Sequence, residues 1–143
     1  TNLQHCILNL TGLGFIYYAF VTQINWKESF SILIILMLGI SLCLGLFDKM
    51  YYYGFSAVLH GYLGFLLIRY WRAAPKMHSV LLLAVILKVV LENTGNLSSV
   101  DTTSALIDAP VATQSHAYGL TIGLLSGFFM SAIHKWRSKD VTS

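Results

Sequence analysis

Five long apolar stretches, separated by short polar connections, decide what this chain can become. They run roughly from Leu3 to Thr22, Phe30 to Phe47, Gly54 to Tyr70, Met77 to Glu92 and Ser115 to Ile133. A helix that crosses a bilayer needs about 20 mostly apolar residues. Only 10% of the 143 residues are charged and 56% are hydrophobic, against about 25% charged in a soluble domain. The pattern predicts an all-α membrane protein of five spans in one domain, residues 1–143. The chain opens at Thr1 with no basic lead, and its first apolar stretch already holds His5 and Asn9, unlike a cleavable signal peptide. It is read as an N-terminally incomplete domain, with a further span expected before it.

Charge fixes the expected orientation. Lys27 follows the first stretch, Arg69, Arg72 and Lys76 separate the third from the fourth, and Lys135, Arg137 and Lys139 follow the fifth. The other side carries Lys49 with Asp48, Asp101 and Asp108. Lys and Arg collect on the cytoplasmic side, so the first, third and fifth spans begin at the outer face.

That topology brings four polar residues to one layer beneath the outer surface: His5 and Asn9 on the first span, Ser56 on the third and His116 on the fifth. Polar groups inside a membrane are costly and mark function by default. Ser56 is a candidate nucleophile and His116 its base. Gly54 lets backbone approach, and the amides at a helix start suit an oxyanion. His5 and Asn9, spaced i, i+4, share a face and can donate to the same oxyanion. Gly119, Gly123 and Gly127 form a stripe for close helix packing, supporting the site without chemistry of their own. His60, one turn after Ser56, is a second candidate base, or a ring that stacks on or orients His116.

No acidic residue is expected to orient His116, so the reading is a dyad. Lys88 and Glu92 are expected to form an intrahelical salt bridge, with Glu92 a possible substrate contact. Asp48 and Asp101 are expected to be solvated, and Cys6 and Cys43 to be buried thiols. Tyr51, Tyr52, Tyr53 and Trp71 fit interfacial anchoring, and His78 and His134 carry no assigned role. The connection from Gly95 to Gln114 is either a lid over the polar layer or a surface loop, with Pro110 interrupting helix. No cofactor, metal or nucleic-acid partner is expected. Haem ligation by His5, His60 and His116 lacks any spacing signal.

Three motifs on alternate spans resemble the rhomboid intramembrane serine proteases. His5-Cys6-Ile7-Leu8-Asn9 resembles the family's H-x-x-x-N helix, Gly54-Phe55-Ser56-Ala57 its G-x-S-G motif, and His116-Ala117-Tyr118-Gly119 with Gly123 its H-x-x-G-x-x-x-G helix. Ala57 stands where the motif has glycine. Within the family, Ser56-Ala57-Val58-Leu59-His60-Gly61, Lys88-Val89-Val90-Leu91-Glu92 and Ser115-His116-Ala117-Tyr118-Gly119 resemble the rhombosortases. The resemblance implies oxyanion contacts from His5 and Asn9, attack by Ser56 and base catalysis by His116. It also implies a bacterial inner-membrane enzyme with its site toward the periplasm. Its substrates would be membrane-anchored proteins with C-terminal Gly-Gly sorting tails, each tail containing a transmembrane segment. The alternative is a catalytically inactive relative that binds transmembrane helices.

Overall fold

A computed structural model describes residues 3–48, 54–96, 99–107 and 111–140, with backbone only at 99, 101, 106, 107 and 137–140. Among the described residues six α-helices follow in order: α1 (Leu3–Phe20), α2 (Trp26–Cys43), α3 (Ser56–Arg69), α4 (Pro75–Asn93), α5 (Ser99–Ile107) and α6 (Thr113–Asp140). A π-helical turn, Leu44–Asp48, extends α2, and a 3-10 turn, Trp71–Ala73, precedes α4. No strand occurs among the described residues.

Local chemistry explains the helix ends. Asn25 caps α2, its Oδ1 accepting from the amides of Lys27 (3.0 Å) and Glu28 (3.3 Å), which satisfies two orphan donors. Pro75 opens α4, where its missing N–H costs nothing. Gly95 ends α4 at φ +71°, a conformation that L side chains rarely adopt. The amide of Asn96 then reaches back to the Leu91 carbonyl at 3.1 Å, as in a Schellman motif. This stop leaves Glu92 and Asn93 in the last turn of α4.

Helix α3 is the hub. Ala57, Val58, Leu59, Gly61, Tyr62, Gly64, Phe65, Leu66 and Leu67 are all buried, and α1, α2, α4 and α6 surround it. Its tightest partner is α6. A Cβ on Gly119 would meet the Ala57 carbonyl oxygen, one on Gly123 the Gly61 carbonyl oxygen, and one on Gly127 would lie 3.0 Å from the Phe65 carbonyl oxygen. The register advances four residues on both helices at each step, so α3 and α6 run parallel in backbone contact. Only glycine permits that approach. Helix α2 is antiparallel to α3: at its start, Glu28 takes a two-pronged ion pair from Arg69 (3.0 and 3.1 Å) and Ser29 a hydrogen bond from Tyr62 (2.8 Å).

The outer surface is apolar. Leu10, Phe15, Phe30, Leu38, Leu83, Phe128 and Phe129 are among many large side chains at least 60% exposed, far beyond the isolated apolar patches of a soluble monomer. Two helices, Trp26–Asp48 and Thr113–Trp136, are long and apolar enough by themselves to cross a membrane, and α3 is a shorter apolar helix. Among the described residues, two of the five expected spans thus pass on length and composition alone. The helices that fall short are diluted by polar residues, Gln4, His5 and Asn9 in α1 and Lys76, Lys88 and Glu92 in α4.

Several expectations need correction. The 95–114 connection is not structureless: α5 occupies Ser99–Ile107 and packs on α1, and the Ser104 hydroxyl accepts from the Val111 amide at 3.3 Å. Cys6 is exposed on α1 rather than buried. Asp48 is half-buried and accepts from the Tyr118 hydroxyl at 2.8 Å. Lys49, Tyr51, Tyr52, Tyr53, Asp108 and Pro110, and the side chains of Asp101, Arg137 and Lys139, lie outside the described residues.

Candidate active site

Ser56 is the first residue of α3, so the amides around it belong to a turn whose N–H groups have no partner within the helix. His116 lies one turn into α6 and is 4% exposed. The parallel glycine-lined packing sets both helix starts side by side. The Ser56 hydroxyl meets His116 Nε2 at 3.0 Å, within the reach that proton transfer needs.

The other ring nitrogen, Nδ1, faces Glu92 Oε2 at 2.9 Å. The expectation of a histidine without an acidic partner is corrected here, and both oxygens of Glu92 are engaged within the protein. Oε1 takes the Lys88 ammonium at 2.5 Å, the intrahelical pair expected from the i, i+4 spacing. The Glu92 and His116 side chains are 7% and 5% exposed. Asn93 secures the arrangement, donating to Val89 O at 2.8 Å and to Thr113 O at 3.1 Å. That second bond ties the end of α4 to the start of α6. Sequence reasoning missed Asn93; its signal was an amide side chain just before the Thr94-Gly95 helix stop.

His60 stacks on His116, with centroids 4.2 Å apart and planes 17° from parallel. Its Nδ1 lies 2.7 Å from the Ser56 carbonyl oxygen and its Nε2 3.0 Å from Lys88 Nζ. It bonds the backbone of Ser56 and not the hydroxyl, so the geometry favours stacking over service as a base.

His5 and Asn9 lie on the inward stripe of α1 with Leu13, Ile16 and Phe20, while Ile7, Leu8 and Leu10 face out. A Cβ on Gly12 would sit 3.2 Å from Leu59 Cδ1. Three residues earlier on the two helices stand Asn9 and Ser56. Gly54 is half-buried beside the site. Ala57 is fully buried, with its carbonyl against Gly119. His78 is buried at the opposite end against Phe20, and His134 is exposed there.

His60, Glu92 and His116 offer ligand atoms within 4.8 Å of one another. The bonds above already occupy them and the Lys88 ammonium sits among them, so a cation would have to displace it.

A helical bundle with an apolar exterior and a half-buried serine hydrogen-bonded to a buried histidine at one end defines a membrane enzyme of the acyl-transfer type. The model of the Rhomboid domain matches residues 1–133, nearly the whole chain, and the protein belongs to the rhomboid family. It is thus an intramembrane serine protease, a hydrolase acting on membrane-protein substrates within the bilayer. No curated protein and no solved structure matches the chain significantly.

Proposed function

We propose that the protein is an endopeptidase in which Ser56 attacks the scissile carbonyl and His116 is general base and then general acid. The observation that carries this is the 3.0 Å contact between the Ser56 hydroxyl and His116 Nε2. As the Oγ–carbon bond forms, the Ser56 proton passes to Nε2. As the peptide C–N bond breaks, it passes to the leaving amine. Water, deprotonated by the same nitrogen, then releases the acyl group and the hydroxyl proton is restored. His5, Asn9 and the first-turn amides of α3 hold the oxyanion; one such donor is worth about 10²–10³ in rate.

In this reading α1, α2, α3, α4 and α6 all span the membrane. Lys27, Arg69, Arg72, Lys76 and Lys135 gather at the end remote from Ser56, which supports a site toward the outer, periplasmic face of a bacterial inner membrane. The substrates are exported proteins with a C-terminal sorting tail, cut at a Gly-Gly segment. Glycine supports this choice because a substrate helix must unwind to enter, and each glycine weakens helix by about 0.8–1.0 kcal/mol relative to alanine. The test is incubation with a membrane-anchored protein bearing such a tail, with mass spectrometry of the products. A cut at the glycines, lost in Ser56→Ala, supports the reading. An intact tail beside cleavage of unrelated transmembrane segments rejects the substrate, and tight binding of helices without any cut favours an inactive relative.

A further inference from the structure

We propose that Glu92 is a positioning residue that completes a Ser56–His116–Glu92 triad, and that Lys88 and His60 return the hydrogen-bond chain to the backbone of the nucleophile. The inference deepens the hydrolase reading and rests on it.

Proton bookkeeping carries it. A carboxylate only accepts, so the proton of neutral His116 is held on Nδ1, toward Glu92 at 2.9 Å. The lone pair is then on Nε2, where the Ser56 hydroxyl donates at 3.0 Å. A carbonyl also only accepts, so His60 carries its proton on Nδ1, toward Ser56 O at 2.7 Å. Its free Nε2 accepts from Lys88 at 3.0 Å, and Lys88 also donates to Glu92. Every bond in the ring has one donor and one acceptor, and both rings are fixed in the same tautomer.

An ordinary surface ion pair does not account for this. Lys88 by itself satisfies one carboxylate oxygen, yet the second is turned to His116 with both side chains at most 7% exposed. A glutamate in the last turn of a helix also opposes the helix dipole, and charge within an apolar layer is costly. Such a residue breaks a local rule, which is where function is expected. Lys88 offsets the cost by pairing.

In the reaction the carboxylate takes no proton. It holds Nδ1–H while Nε2 receives the Ser56 proton, and so stabilises the imidazolium that forms. The neutral His60 ring covers one face of that cation at 4.2 Å. Among the described residues, the charged and titratable groups gathered at His116 are His60 from α3 and Glu92 with its partner Lys88 from α4; Asp48, in the turn that extends α2, bonds Tyr118.

The test has three arms on the detergent-solubilised full chain. The first is ¹⁵N NMR of the unaltered protein, with His116 assigned by its loss in His116→Ala; the Nδ1–H tautomer is expected, and an Nε2–H ring overturns the inference without any variant at the glutamate. The second is Glu92→Gln, for which kcat and the rate of fluorophosphonate labelling of Ser56 should fall by about 10²–10⁴ with KM within about twofold. Labelling and kcat near wild type, or a loss confined to KM, overturns it. The third is Lys88→Met, expected to lower kcat while the His116 resonances lose their single tautomer; unchanged resonances contradict the role given to Lys88. A wild type that neither labels nor cleaves defeats the hydrolase reading itself, whereas a labelled wild type with an equally labelled Glu92→Gln defeats only the third member.

Discussion

Gly123 of α6 lies so close to Gly61 of α3 that a methyl group on it would fall on the Gly61 carbonyl oxygen. The contact is backbone to backbone, with no flexible side chain to move aside. It sets the register in which His116 meets Ser56, nearer the N-terminal ends of both helices. Gly123→Ala is therefore expected to destabilise the protein by about 1–3 kcal/mol and to cut Ser56 labelling by more than about tenfold, since 1.4 kcal/mol of misplacement already costs that much. Gly14 has open space around it, so Gly14→Ala should match or slightly exceed wild-type stability. Thermal unfolding in detergent with parallel labelling checks both.

The half-buried Arg69–Glu28 pair at the other end is two-pronged, with Nε and Nη2 of Arg69 each donating to one oxygen of Glu28. Lysine cannot reproduce that fork. Arg69→Lys and Glu28→Gln should each lower stability by about 1–3 kcal/mol, and the double variant should lose less than the sum of the two. Denaturation of the four proteins measures this. Additive losses would contradict a direct pair.

Asn9, on the inward face of α1, is proposed to contact the oxyanion together with His5. Asn9→Ala should reduce kcat by about 10²–10³ with little change in KM. Steady-state kinetics separates this from a packing role, which would lower unfolding temperature and leave the kcat of the folded fraction intact.

His60 is given a support role, so its shape matters more than its basicity. His60→Phe keeps a ring over His116 and should retain more activity than His60→Ala. Equal, complete loss in both, together with wild-type folding, would argue for direct proton transfer by His60 and against the stack.

Much of this was legible in the chain. The three motif-bearing helices, their order, the sidedness of the charges and the small-residue stripe on α6 all follow from periodicity and position. Residues that act within one helix read well for the same reason: Lys88 and Glu92 meet as i, i+4 spacing dictates. What did not read was the far side of each such residue. Spacing places Glu92 on a face but says nothing of which neighbouring helix its second oxygen meets, because that depends on the Gly95 stop and on the Asn93 bond to Thr113. The hub position of α3 was hidden too, since an apolar run reads the same whether lipid or protein surrounds it. Cys6 shows the converse, an apolar-run residue that faces outward.

The central claim is that the Ser56 hydroxyl is activated by His116. The most direct measurement is covalent labelling of the purified protein by a fluorophosphonate, with the modified residue located by mass spectrometry. The account predicts one adduct, on Ser56, lost in Ser56→Ala and reduced to background in a folded His116→Ala. Labelling that survives His116→Ala undiminished, or an unlabelled wild type, would contradict it.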